Sequence, residues 1–266
     1  MIKKIKSSTK YKTVNRKVKL FINDKFIDNA KYLPQGFDRV YHYHVRKSGG
    51  TSVNDAFWKK CNHSIDTVGR EPLLLGNKKS MVRLNKELIE KGNYFYGSAH
   101  FPYWQLSLKP KTYSFTVLRD PYKRILSLYK YYKWIEINSA EHGLKFDPSF
   151  EHLKSQKHLF QANLVDFIEV LSPKYLYGNI YMFSENLNVD EALDNLKNVN
   201  RILFQHKLSQ DFTKVSKDLD LGMKIEKKLR KFNNENFDVS DHDIEYAKKT
   251  LEKDYDFYNK AIRLHE

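Results

Sequence analysis

The nine residues His44-Val45-Arg46-Lys47-Ser48-Gly49-Gly50-Thr51-Ser52 join a strand-like run to a helix-like one. Upstream, residues 38–45 (Asp-Arg-Val-Tyr-His-Tyr-His-Val) are rich in aromatic and β-branched types and read as a strand. Gly49-Gly50 breaks it, and Thr51 or Ser52 can cap a helix predicted to run to about Cys61. Such a turn exposes successive backbone N–H groups, and the helix behind it adds its positive end, so the junction suits an anion. Glycine permits positive φ and close approach of a ligand. Lys47 brings a mobile charge, and Ser48, Thr51 and Ser52 bring hydroxyl donors. This is the physics of a phosphate loop. The nucleoside-triphosphate pattern G-x-x-x-x-G-K-[ST] is absent, however, because here the lysine precedes the glycines. Read alone, the stretch also fits an ordinary strand–turn–helix junction with a surface lysine.

A second junction follows at Leu118-Arg119-Asp120-Pro121-Tyr122-Lys123-Arg124-Ile125-Leu126-Ser127-Leu128-Tyr129. Thr112–Leu118 is rich in β-formers; Asp120 fits an N-cap and Pro121 the first helical position. The helix is predicted to reach about Ile137, with Ile125, Leu128 and Tyr132 on one face. Ser127 then lies roughly 12 Å along the axis from Arg119, at ~1.5 Å per residue. A forward-leaning arginine can share one phosphate with that hydroxyl, and its planar fork binds phosphate oxygens bidentately. Singly, Ser127 is a plain helix serine; Arg124 and Lys123 can add field at the site, and Arg124 reads equally as a partner for an acid that holds the helix. Together the two junctions point to a ligand with phosphates at two places.

Elsewhere, Asn93–Ala99 reads as a short strand, and 62–92 as loops plus a helix near 80–91. Residues 138–150, with Gly143 and Pro148, read as a loop. Helical patterns cover 159–171, 189–197, 209–219 and 241–263, and Arg201–Gln205 reads as a strand. This alternation predicts an α/β fold: a three-layer parallel sheet flanked by helices. No repeat or low-complexity tract is present, and no linker divides the chain after about residue 35.

The 266 residues are 41% apolar and 14% aromatic, enough for a sizeable core despite the charge. The net charge of +15 is uneven: residues 1–20 hold eight Lys or Arg and no acid, leaving +7 for the remainder. The expected organisation is a basic leader over 1–35, partly ordered, and one domain over 36–266. The leader reads either as a solvated segment or as an attraction for an anionic glycan, a membrane surface or nucleic acid. It lacks the apolar core of a secretory signal, and no run of about 18 apolar residues exists to span a membrane. Cys61 is the sole cysteine, so no intrachain disulfide forms and a cytoplasmic setting is expected. His42 and His44 share a strand face as paired metal ligands would, but no further cluster completes a site, so both read as core histidines and no metal is expected. His206 follows a strand within reach of the site but reads as structural, and Tyr129, Tyr131 and Tyr132 read as packing the core rather than binding adenine.

Taken in order, these segments resemble the sulfotransferases that use 3′-phosphoadenosine 5′-phosphosulfate (PAPS). The branch they resemble is that of the heparan-sulfate O-sulfotransferases and their bacterial relatives (sulfotransferase family 2-like). His44–Ser52 is similar to that branch's His-Ile-Pro-Lys-Thr-Gly-Gly-Thr-Ser loop, with Arg46 for the proline and Ser48 for the threonine. Leu118–Tyr129 matches Leu-Arg-Asp-Pro-x-x-Arg-x-x-Ser-x-Tyr at every fixed position. Gly97-Ser98-Ala99-His100-Phe101-Pro102-Tyr103 is similar to Gly-His-Phe-Pro-Tyr with two residues inserted. The likeness covers 38–135 and continues faintly over 189–222, where Phe204-Gln205-His206-Lys207-Leu208 lacks the family's acid.

The resemblance implies a P-loop-like sulfotransferase fold with PAPS as donor. Lys47 would contact the bridging and 5′-phosphate oxygens, and Arg46, Ser48, Gly49, Gly50, Thr51 and Ser52 would line the 5′-phosphosulfate cradle. Arg119 and Ser127 would bind the 3′-phosphate, His100 would be the base, and Leu229–Asn233 would be a closing segment. The implied acceptor is a hydroxyl on an oligosaccharide, polysaccharide or other hydroxylated molecule. Peripheral membrane contact is compatible with this reading, and no nucleic acid is expected. Two alternatives stand beside it: a nucleotide-dependent phosphoryl transferase, against which the missing phosphate-loop order counts, and a basic nucleic-acid binder.

Overall fold

The computed structural model describes residues 9–65, 67–68, 71–141, 159, 162–225 and 239–265, with the backbone alone for 9–12 and 136–141. Its centre is a six-stranded sheet in the order β2-β3-β4-β1-β5-β6. The strands are β1 (Arg39–Tyr43), β2 (Leu73–Gly76), β3 (Lys79–Val82), β4 (Tyr96–Ala99), β5 (Thr112–Leu118) and β6 (Arg201–Phe204). Every neighbouring pair is parallel except the β2–β3 hairpin at one edge. The architecture is therefore α/β, with a mostly parallel sheet between layers of helices.

The helices are α1 (Thr9–Phe26), α2 (Gly50–Lys60), α3 (Lys86–Lys91), α4 (Pro121–Glu141), α5 (Leu164–Val170), α6 (Pro173–Leu176), α7 (Gly178–Tyr181), α8 (Val189–Leu196), α9 (Leu208–Asp218), α10 (Asp241–Thr250) and α11 (Glu252–His265). Alternation along β1 divides the core. Val40 faces Val53 and Phe57 of α2 and Phe212 of α9. Tyr41 and Tyr43 face the opposite layer, with Ile180 of α7, Leu196 of α8 and Phe257 of α11. A third cluster packs Ile125, Leu128 and Tyr132 of α4 against Phe167 of α5 and Ala247 of α10.

Both junctions run from strand to helix as the sequence predicts, but Gly49, and neither Thr51 nor Ser52, is the N-cap of α2, and no side chain caps that helix. Thr112–Leu118 is the strand read from it, and the Asp120 side chain accepts from Lys123 N at 2.8 Å as the cap of α4. Further expectations are corrected. The region read as loops plus a helix near 80–91 contains the β2–β3 hairpin, and its helix is only Lys86–Lys91. The segment 241–263 is two helices parted at Leu251. Within the expected leader the described residues hold α1, pinned through Asn93, whose Nδ2 donates to the Asn23 and Ile27 carbonyls at 3.1 and 2.8 Å. Of the expected loop at 138–150, residues 138–141 instead continue α4, and 142–150, like the closing segment Leu229–Asn233, lie outside the described residues.

Candidate active site

Three adjacent parallel strands, β4, β1 and β5, end at the site. Val40↔Tyr96 and Tyr43↔Ala99 register β1 with β4, and Tyr43↔Thr116 registers β1 with β5. The connection leaving β1 heads toward one edge of the sheet and the one leaving β5 toward the other. The gap between these two strand ends is therefore a topological switch point, where open α/β sheets bind ligands. All three stretches singled out in the sequence meet here.

Past β1 the chain makes a tight cradle. Lys47 has φ 66° and Gly49 φ 89°, two left-handed residues flanking Ser48, which turns the backbone into the concave form that presents N–H groups to an anion. A left-handed lysine costs about 1–2 kcal/mol. Gly50 opens α2 and must lack a side chain, because a Cβ there would fall 2.3 Å from the His44 ring and 2.9 Å from His42 Cε1. Ser48 is fully buried, and its Oγ has no hydrogen-bond partner. A buried hydroxyl left without a partner costs ~1–3 kcal/mol, so a ligand oxygen that supplied one would recover it. Ser52 is buried and Thr51 partly so in the first turn of α2.

Arg119, one residue past β5, reaches across to this cradle, and its Nη1 donates to the Lys47 carbonyl at 2.8 Å. Its Nε is buried without a partner, and burial lowers the guanidinium's pKa from its usual value. Asn179 of α7 holds the Arg119 carbonyl at 2.9 Å and the Asp254 carboxylate at 3.0 Å. The Lys47 ammonium rests 4.5 Å from the centre of the Tyr131 ring. Ser127 is partly exposed on α4 and has no side-chain partner among the described residues. Arg124 is committed to the fold. It is buried, donates to the Tyr175 carbonyl at 2.9 Å and to that of Leu176, and pairs with buried Asp254 at 3.8 Å.

His100 follows β4 directly. Its Nδ1 lies 2.6 Å from the His44 carbonyl. A carbonyl only accepts, so Nδ1 carries the proton and Nε2 keeps its lone pair. Burial, and then the positive charge of Arg46, depress the His100 pKa to about 3, so the ring is neutral near pH 7. His44 and His42 are likewise depressed by burial, His42 to about 4. His42 contacts Asn54 Oδ1 and the Tyr96 hydroxyl. Among the described residues no group of three or more His, Cys, Asp or Glu is placed to hold a metal ion.

His100 lines a cleft of about 240 Å³ together with His44, Arg46, Gln105, Lys174 and Tyr175. Arg46 stands in this cleft with its guanidinium 5.7 Å from the Tyr175 ring centre, on the histidine side of the cradle. Sequence reasoning missed His44, Lys174, Tyr175 and Asn179. The last three lie in two four-residue helices without side-chain caps, too short to carry a periodic signal, and only the tertiary fold brings them to the strand ends.

No family model matches the chain, and no curated protein matches it. Among solved structures, the chain is similar to mouse sulfotransferase SULT7A1 complexed with PAP. That likeness is 15% identical, spans 87% of this chain and 67% of that one, and has a TM-score of 0.37.

Proposed function

We propose that this chain is a sulfotransferase that takes PAPS as donor and an acceptor hydroxyl, on a glycan, as substrate. The observation that carries the reading is the meeting of the Lys47 loop, Arg119 and His100 at the ends of three neighbouring parallel strands. The buried, unpartnered Ser48 Oγ and Arg119 Nε support it, since both are donors at the cradle that an anionic ligand would satisfy. Gly49, Gly50, Thr51 and Ser52 would complete the 5′ cradle with Ser48, and Arg119 with Ser127 would hold the 3′-phosphate.

The donor, when bound, supplies the sulfuryl group for in-line transfer and leaves charge on its 5′-phosphate. Lys47 leaves the Tyr131 ring to neutralise that charge, which favours the transition state over the ground state. His100, locked in the Nδ1–H tautomer by the His44 carbonyl, accepts the hydroxyl proton at Nε2. An anion beside it offsets the Arg46 charge and raises its basicity from the depressed value. Arg46 and Lys174 would draw an acceptor bearing negative charge into the cleft. The catalytic unit is 36–266, with 1–35 attached as a leader, and the buried Cys61 thiol suits a cytoplasmic setting.

Incubating the protein with PAPS and a panel of acidic and neutral oligosaccharides, with ATP in parallel, tests the reading. Release of PAP that depends on an acceptor is expected. Phosphoryl transfer from ATP, or no turnover on any hydroxylated acceptor, would overturn it.

A further inference from the structure

The basic leader forms a surface helix whose outward face is apolar. Five of the eight large hydrophobic side chains that stand well exposed among the described residues belong to α1: Val14, Val18, Phe21, Ile22 and Phe26. They cluster rather than scatter, and a cluster of this kind marks an interaction surface. At 100° per residue Val14, Val18 and Phe21 fall within a 60° arc, spaced i, i+4, i+7. Phe26 is 75% exposed and meets Phe21 edge to face at 6.1 Å. The rotation of the helix is fixed from the other side. Asn23 is buried, and its Nδ2 donates to the Asn93 carbonyl at 2.8 Å, while Leu20 packs on the core. The apolar ridge therefore cannot roll inward.

Cations accompany the ridge. The helix holds six Lys or Arg against one Asp, and Arg16, Lys17 and Lys25 are exposed. A second copy of this chain would bring equal positive charge to the same face and be repelled. A polyanion such as nucleic acid or a sulfated glycan would meet the cations yet leave four or five apolar side chains in water. An anionic lipid surface satisfies both, because headgroups meet the cations while the ridge enters the acyl boundary. No described helix is long and apolar enough to cross a membrane, so this one would lie along the surface.

We infer that α1 is an interfacial anchor that seats the protein on an anionic bilayer through Val14, Val18, Phe21 and Phe26, with Lys17 and Lys25 facing the headgroups. This does not depend on the reaction proposed above. The test is co-sedimentation of the full chain with phosphatidylcholine vesicles, with and without phosphatidylglycerol, across a salt series. Wild type is expected to bind the anionic vesicles at least roughly tenfold more tightly than the neutral ones. Val18→Ser with Phe21→Ser should lose about that factor while keeping its circular-dichroism melt, since both side chains are exposed. Lys17→Gln with Lys25→Gln should weaken binding and flatten its salt dependence. Three results would overturn the inference: no binding to anionic vesicles, binding indifferent to the serine pair, or a dimer in analytical ultracentrifugation that the serine pair disperses.

Discussion

Arg119 Nη1 donates to the carbonyl of Lys47 at 2.8 Å, so the ends of β1 and β5 are joined by the two residues whose side chains are the best candidates for opposite phosphates of one ligand. The bond also braces Lys47 in its left-handed conformation, because the carbonyl it anchors belongs to the strained residue. Loop geometry and anion chemistry are therefore coupled through one arginine.

Lys47 should separate stability from activity. At φ 66° a glycine relieves strain, so Lys47→Gly is expected to raise stability by up to about 1 kcal/mol, less any entropy gained by the unfolded chain. The same change removes the ammonium and should lower turnover by ~10²-fold or more. Urea melts beside initial rates check this, and a variant that loses both or neither contradicts it.

His100→Ala should fold and bind PAP like wild type while kcat falls ~10²–10⁴-fold, the range a general base supplies. Turnover near the wild-type level would remove the base assignment.

Gly50→Ala is expected to destabilise the fold by about 1–3 kcal/mol, since the new methyl overlaps the His44 and His42 rings and the strand cannot move away. His44→Ala in the same chain should restore part of the loss, which a double-mutant cycle measures.

Acid should weaken the fold between pH 6.5 and 4. His42, His44 and His100 are neutral when folded, and in the unfolded chain they take up protons below about pH 6.5. The unfolded state then binds more protons, and stability falls with pH. Asp254 opposes this, because burial pushes its carboxyl up to about 6 against the pull of Arg124, so it holds a proton that the unfolded chain releases. Three histidines outweigh one aspartate by about two protons near pH 5, or roughly 2.7 kcal/mol per pH unit. Urea midpoints that stay level from pH 7 to 5 would contradict the burial of these rings.

Strands β1 and β5 and helices α2 and α4 were legible because strong local signals agree there: β-branched and aromatic runs end in Gly49-Gly50 on one side and Asp120-Pro121 on the other. The β2–β3 hairpin was hidden. Leu73-Leu74-Leu75 does not alternate, and the turn uses Asn77-Lys78, both at positive φ, where Asn-Gly would have announced it. The order in α1 rests on Asn23 and Asn29 meeting Asn93 and Ser80 more than fifty residues away, contacts that no local pattern encodes. The candidate site divides the same way. Its cradle and Arg119 sit in contiguous motifs, whereas Lys174, Tyr175 and Asn179 reach it only through the packing of α6 and α7 on the strand ends.

Isothermal titration of adenosine 3′,5′-bisphosphate into wild type and Arg119→Ala decides whether the two strand ends grip one doubly phosphorylated ligand. Wild type should bind at one site per chain, and Arg119→Ala roughly 10–100-fold more weakly, the loss of a charge-assisted hydrogen bond worth ~1.5–3 kcal/mol. No heat on wild type, or equal affinity in the two proteins, would contradict it.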